Sequence, residues 1–278
     1  MNTIIDINLK ELAIGAFLLV IPIVFFYIYR IKLVKDVLIN VIRMVVQLGL
    51  VALYLEFIFE LNNAWINSIW VLVMIVVGVL TAINRIGLKT KYFVLPFFIA
   101  GLTSILIIDT FCLGFILKLD YVFDARYFIP ITGMILGNAL NHNIVGLNTY
   151  FRAHTEKREL YRFLLSNTGN QQLAVRPFIE EAAKTALNPM IANMSVVGLV
   201  TLPGMMTGQI LGGSQPAVAI KYQIMIMIAI FVGCTINIFL SIIFTNKIIF
   251  NEYGNMKDGL VKENGLRLKK PSKHRLKH

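Results

Sequence analysis

The stretch from Tyr222 to Lys247, YQIMIMIAIFVGCTINIFLSIIFTNK, decides the fold, because no charged residue interrupts it before its last position. A bilayer's hydrocarbon core of roughly 30 Å asks for about 20 apolar residues per helical crossing, and this run is longer than that. It shows none of the apolar–polar alternation of a barrel strand. Working outward from it, six further runs have the same character, at about 12–29, 37–59, 64–84, 93–117, 128–149 and 188–211. Within lipid only helices or closed barrels satisfy every backbone polar group. The expected fold is therefore all-α: a polytopic transmembrane helical bundle of about seven helices. Composition agrees, with 57% hydrophobic and 15% charged residues, against about 25% charged in soluble domains.

Charge between the runs predicts topology. Segments 30–36, 85–91 and 150–187 and the chain from Lys247 onward hold 21 of the 26 lysines and arginines. The intervening loops hold only Lys10, Lys118, Arg126 and Lys221, and Arg43 lies inside the second run. By the positive-inside rule the amino terminus is outside and the carboxy terminus cytoplasmic. The net charge of +11 is thus spent on orientation toward a lipid surface, and no nucleic-acid partner is expected. The first run follows Asp6, Lys10 and Glu11 and lacks a small-residue cleavage site, so it reads as a retained helix and not a secretory leader. Cys112 and Cys234 both sit in apolar runs, with no metal-ligand or disulfide spacing. Residues 1–250 form the expected membrane domain; 251–278, rich in lysine and arginine, read as a disordered cytoplasmic tail drawn to anionic lipid.

The one substantial loop, 150–187, reads as helical and cytoplasmic. A charged segment around Glu156–Ser166 is followed by the break Ser166-Asn167-Thr168-Gly169-Asn170 and an amphipathic stretch 171–187. There Leu173, Phe178, Ala182 and Ala186 can share a face while Glu180, Glu181 and Lys184 point away. Two readings stand: a helix that receives force from a soluble motor, or one that lies on the membrane surface.

Polar side chains at membrane depth are expensive, roughly 2.5–3.5 kcal/mol for Arg or Asp at a helix centre. Asp36, Asn40, Arg43, Gln47 and Tyr54 form one stripe along the second helix. Arg43 can snorkel to the cytoplasmic interface, but Gln47 lies a turn deeper, so the stripe reads as lining a pathway or an interhelical seam. Asp109 is the lone deep acid, free to pair with Arg43 or to serve a substrate. The fifth and sixth runs repeat a text: Gly133-Met134-Ile135-Leu136-Gly137-Asn138-Ala139-Leu140 and Gly204-Met205-Met206-Thr207-Gly208-Gln209-Ile210-Leu211, preceded by Pro130 and Pro203. Glycines four apart permit close helix approach, and proline loosens the backbone ladder. Static packing and a gating seam both fit, with Asn138 and Gln209 placing an amide beside the contact. The methionines of these helices read as core rather than soft-metal ligands, His142 as an interhelical hydrogen-bonder, and no metal site is assigned.

No Gly-x-x-x-x-Gly-Lys-Ser/Thr phosphate loop, Gly-x-Ser-x-Gly elbow or His-Glu-x-x-His is present. The expectation is a non-catalytic chain that binds no cofactor.

The run Glu180-Glu181-Ala182-Ala183-Lys184-Thr185-Ala186-Leu187-Asn188-Pro189-Met190, continued by Val196-Val197-Gly198-Leu199-Val200-Thr201-Leu202-Pro203-Gly204-Met205-Met206-Thr207-Gly208-Gln209-Ile210-Leu211-Gly212-Gly213, resembles the bacterial iron-export ABC permease family, which includes the plant aluminium-sensitivity membrane proteins. Arg43-Met44-Val45-Val46-Gln47-Leu48 and Gly133 to Asn138 carry the same resemblance, which spans nearly the whole chain except the tail. It implies a permease of the bacterial cytoplasmic membrane paired with a separate ATP-binding subunit, as two permeases with two ATPases, exporting iron or giving resistance to metal and oxidative stress. Glu180, Glu181, Ala182 and Ala183 look like the start of the ATPase-docking element, although Leu187 stands where that element usually has glycine. A stand-alone carrier or channel, with Arg43 and Asp109 as an ion relay, is the rival from another class; unequal repeats in a seven-helix chain weigh against it.

Overall fold

The computed structural model describes residues 7–251, 254, 255, 257 and 260. Among these residues ten α-helices follow one another: α1 Leu9–Ala16 and α2 Val20–Ile28, joined by a 3-10 turn into one rod, α3 Val34–Leu61, α4 Ala64–Ile86, α5 Thr90–Asp109, α6 Ala125–Glu156, α7 Arg158–Thr168, α8 Gln171–Val196, α9 Gly204–Leu211 and α10 Pro216–Ile249. Their ends follow local chemistry. Asn63, Asp124 and Asn170 accept backbone N–H groups at the starts of α4, α6 and α8, satisfying donors that the first turn leaves free. Gly87 (φ 81°) and Gly169 (φ 59°) close α4 and α7 in the left-handed region, where an absent Cβ removes the steric penalty.

Among the described residues, five helical segments are long and apolar enough to cross a membrane: Lys10–Ile28, Val34–Leu61, Ala64–Ile86, Thr90–Ile116 and Pro216–Ile249. The chain is thus an all-helical membrane protein, but not with the expected seven uniform spans. The fifth run, 128–149, is less apolar than its length suggests: α6 has 32 residues, about 48 Å at 1.5 Å per residue, and carries Asn138, Asn141, His142, Asn143 and Asn148 through its middle. The proposed span 188–211 is not one helix. α8 runs from the presumed surface stretch straight through Pro189 to Val196, and then the chain leaves helical geometry at 197–203. Gly198 adopts φ 89° and its N–H donates to the Thr201 carbonyl at 2.9 Å; Pro203 then caps the eight-residue α9. An apolar composition that looked continuous is cut by backbone conformation.

The core is built from α4, α5, α6 and α10, with the inner face of α8 laid against α6. Ile75, Ile83, Phe93, Phe97, Ile135, Leu147 and Ile238 are fully enclosed within it. In lipid, helices gain no hydrophobic free energy from meeting, so close van der Waals packing holds them. Gly146 supplies that closeness: a Cβ there would lie 2.2 Å from Ile238 Cδ1 and 3.2 Å from Ala186 Cβ. Gly233 does the same against Ile135, at 2.9 Å.

α1, α2 and α3 are packed differently. The apolar windows of the first two spans have no buried residue, and α3 buries only Ile58. That residue joins Ala125 and Ile129 at the start of α6, while the Tyr54 ring rests on Trp70 of α4 with centroids 4.2 Å apart. α3 is therefore held at its carboxy-terminal end, and its other half stands away from the core. The expected disordered tail falls mostly outside the described residues, but Leu260 is buried and accepts the Lys89 N–H at 3.0 Å.

Candidate transport pathway and coupling hairpin

Helix geometry places Asp36, Asn40, Arg43 and Gln47 on one side of α3, and all four are exposed. Asn40 donates to the Asp36 carbonyl at 2.7 Å, a bond internal to the helix. α6 carries a comparable line: Gly137 and Asn141 are exposed, and Asn138 and Asn148 half-buried, with Asn138 donating to the Met134 carbonyl at 2.8 Å. α3 and α6 run antiparallel and meet at Ile58 against Ala125 and Ile129. Counting equal rises along both from that junction puts Gln47 level with about residue 138 and Arg43 with about residue 142. On that count the two polar lines fall at similar heights along their helices.

A second set of polar groups is sealed in the core. Thr132 donates to Asp109 at 2.6 Å and Ser104 to the Gly233 carbonyl at 2.8 Å. Asn143 donates to Asn237 at 2.7 Å and to Ser241 at 2.9 Å. A cavity of about 20 Å³, the volume of roughly one water, is lined by Gly78, Ala82, Gly101, Asn143 and Asn237 among others. The buried Oδ1 atoms of Asp109 and Asn143 accept no protein hydrogen bond. Asp109 also ends α5, and Thr110–Ile116 continue as a π-helix, a geometry that recurs at functional sites. Arg43 and Asp109 are not brought together: the first is exposed and the second buried, and among the described residues the ion pairs are Lys157–Glu181 and Lys184–Glu180.

The repeated glycine text meets unlike surroundings. The Met74 methyl lies 3.1 Å from where a Gly133 Cβ would be, whereas Gly137, Gly204 and Gly208 have nothing within 4 Å. Within one copy, these three glycines make no close helix contact. Gln209 is half-buried, and its side-chain oxygen has no partner. His142 Nδ1 meets the Ala186 carbonyl at 2.6 Å, an interhelical bond that requires the Nδ1–H tautomer.

At the end bearing the basic loops, α7 and α8 form a hairpin. Phe178, Ala182 and Ala186 face inward as periodicity predicted, but Leu173 is exposed and Ala174 and Val175 are buried in its place. The inward stripe runs on through Leu187 and Met190. Glu180 is exposed and pairs with Lys184 at 2.6 Å, which holds its carboxyl below the usual range; Glu181 meets Lys157 at 2.7 Å. Ala183 is half-buried beside them.

The hairpin is pinned by a residue the sequence reading missed. His154, in the last turn of α6, stacks on Phe178 with centroids 4.2 Å apart, and the rings of Tyr150, Tyr161 and Phe250 stand around it at 4.6, 5.3 and 5.5 Å. Burial holds its imidazole down at about 4. Tyr161 donates to the Gly254 carbonyl at 2.7 Å, and Tyr150 to Asn246. α6, α7, α8 and α10 thus converge on one imidazole. The spacing of Tyr150, His154 and Tyr161 was the available signal. Among the described residues no three His, Cys, Asp or Glu side chains gather as a metal site would require.

A family model described as "Uncharacterised protein family (UPF0014)" matches residues 9–250. The chain is 33% identical over 229 residues to the probable iron export permease protein FetB of Escherichia coli, covering 80% of this chain and 84% of that protein. It is 32% identical over 221 residues to a UPF0014 membrane protein of Synechocystis, covering 79% and 83%. To the ALUMINUM SENSITIVE 3 protein of Arabidopsis thaliana it is 29% identical over 203 residues, 72% of each chain. No solved structure matches.

Proposed function

The chain belongs to the UPF0014 family, and on that premise we propose that it is the membrane-spanning permease subunit of an ABC-type exporter of the bacterial cytoplasmic membrane. A separate ATP-binding subunit drives it, and its cargo belongs to metal homeostasis, with iron the first candidate given the relative named an iron export permease. The observation that carries the reading is the α7–α8 hairpin: it presents Glu180 and Glu181 outward at the basic end while His154 clamps its inner side to α6 and α10. A hairpin rigid on one side and polar on the other is what a soluble motor needs to push on.

In this reading Arg43, Gln47, Gly137 and Asn138 line the pathway, and Gly204, Gly208 and Gln209 its neighbouring seam. Asp109, with Gly133 close by on α6, belongs to the core that the pathway moves against. The positive-inside distribution supports an outside amino terminus and a cytoplasmic hairpin. A stand-alone carrier built on an Arg43–Asp109 relay has less support, since those two side chains lie in different environments.

The test is reconstitution in vesicles with an ATP-binding subunit that co-purifies with the chain, following ATP-dependent iron flux beside other cargoes. Glu181→Lys is expected to leave the helices folded and abolish coupled flux. Coupled flux at the parent rate in that variant would remove the docking assignment; ATP-independent flux from the chain alone would remove the ABC reading.

A further inference from the structure

Buried polar side chains in a membrane core are costly, and they ordinarily satisfy one another between helices. Here they form a line and fall short of doing so. On α10, Asn237, Ser241 and Thr245 recur at four-residue spacing on the buried face, about 6 Å apart. Ser104 of α5 donates to the Gly233 carbonyl one turn before Asn237, and Asp109 with Thr132 stands beyond it. In the other direction Asn246 accepts from Tyr150, and the Tyr150 ring abuts His154. From Thr132 to His154 α6 rises about 33 Å, so the line runs the whole thickness of a hydrocarbon core.

Four members keep a polar atom with no protein partner: Asp109 Oδ1, Asn143 Oδ1, Thr245 Oγ1 and His154 Nε2. Each of these residues is at most 6% exposed, so bulk solvent cannot serve them. Gly78 and Gly101 line the cavity of about 20 Å³ that Asn143 and Asn237 also border, and one water fits it. A water bonded to two neighbours spans about 5.5 Å, which matches one helical turn. The longest step, from Ser104 to Asp109, rises about 7.5 Å and takes two waters. A bound metal is a poorer fit, because Asp109 is the sole carboxylate of the line.

We propose that α5, α6 and α10 enclose a file of internal waters that conducts protons between Asp109 and His154. Each hop breaks one O–H bond and makes one on the next oxygen, so nothing is oxidised or reduced. The hydroxyls of Thr132, Ser104, Ser241 and Thr245 both donate and accept, and pass the proton along; the amides of Asn143 and Asn237 orient waters but carry no proton. Asp109 exchanges the proton at one end, where α5 widens into its π-helical turn, and His154 exchanges it through Nε2 at the basic end. Cys112 lies beside Asp109, and Tyr150 and Tyr161 lie beside His154; no hop requires them. Such a file is independent of the exporter reading: proton entry without ATP or metal moves no cargo, so either can fail while the other stands.

Full-length chain is reconstituted in phosphatidylcholine vesicles enclosing a pH-sensitive dye, and a potassium gradient with valinomycin sets an interior-negative potential. The expected result is interior acidification faster than in protein-free vesicles. Asp109→Asn, which still accepts the Thr132 bond but takes up no proton, is expected to return the rate to the protein-free level. Gly101→Ala fills the cavity at ordinary contact distances, 3.5 Å from Ile75 and 3.7 Å from Asn237, and is expected to slow acidification several-fold without loss of thermal stability. Thr245→Val, of the same shape, is expected to do likewise and stands in should Asp109→Asn not fold. Acidification by the parent at the protein-free rate would overturn the proposal. So would the parent rate in Gly101→Ala, or in a folded Asp109→Asn or Thr245→Val.

Discussion

His154 makes the hairpin's anchorage sensitive to acid, and the size of the effect can be worked out. In the folded chain burial holds its imidazole at about 4, against an ordinary value of 6.5. Between those values the unfolded chain binds a proton that the folded chain refuses, so stability falls as pH drops through this window and is unaffected well above it. Linkage gives a loss of about 2 kcal/mol at pH 5 and about 3 kcal/mol at pH 4 relative to pH 7.5. For a chain of this size, 2 kcal/mol corresponds to a fall of about 4–8 °C in melting temperature. The comparison variant is His154→Phe, which keeps a ring between Phe178, Tyr150, Tyr161 and Phe250 while removing the titration and the partnerless Nε2. Purified protein in nanodiscs is melted from pH 7.5 to 4.5. The parent is expected to lose stability over that range more steeply than the variant, with the two curves closest at neutral pH. Parallel curves would refute the claim that a buried neutral imidazole holds the hairpin.

Other substitutions test the packing and the polar core. Gly146→Val is expected to prevent assembly of α6 with α8 and α10, and Gly146→Ala to cost about 1–3 kcal/mol, because Ile238 and Ala186 already occupy the space of a side chain; melts of the purified variants measure it. Gly137→Ala, by contrast, meets open space within one copy and should change stability by less than about 0.5 kcal/mol. Asn237→Ala removes one of the two acceptors of the Asn143 amide and is expected to destabilise by about 1–3 kcal/mol, with a single-step thermal transition retained. Tyr161→Phe loses only its bond to the Gly254 carbonyl, about 1 kcal/mol, read as lowered hydrogen-exchange protection of the Gly254 amide.

What the sequence revealed depended on range. Length and apolarity are local properties, so Ala64–Ile86 could be read within two residues and Pro216–Ile249 within six. The run 188–211 was misread because composition carries no record of where the backbone turns: Gly198 and Pro203 weigh little in a hydropathy window yet end α8. Periodicity placed Phe178, Ala182 and Ala186 correctly but set the first turn of the face on Leu173, where helix position gives Ala174 and Val175. Arg43, Gln47 and Asn138 stood out as polar groups in apolar runs, whereas their similar heights came only from the contact of Ile58 with Ala125 and Ile129. His154 escaped notice because its cage draws on Phe178 and Phe250, distant in sequence.

The amide content of α6 bears on how the protein is made. A segment carrying Asn138, Asn141, His142, Asn143 and Asn148 gains too little from lipid to partition out of the translocation channel unaided. Asn138 bonds within the helix, but Asn143 and His142 find their partners on elements synthesised later, Asn237 and Ser241 on α10 and the Ala186 carbonyl on α8. During biosynthesis α6 must therefore wait beside α4 and α5 until the rest of the chain emerges, and a truncation before α10 would leave it a substrate for quality-control proteolysis.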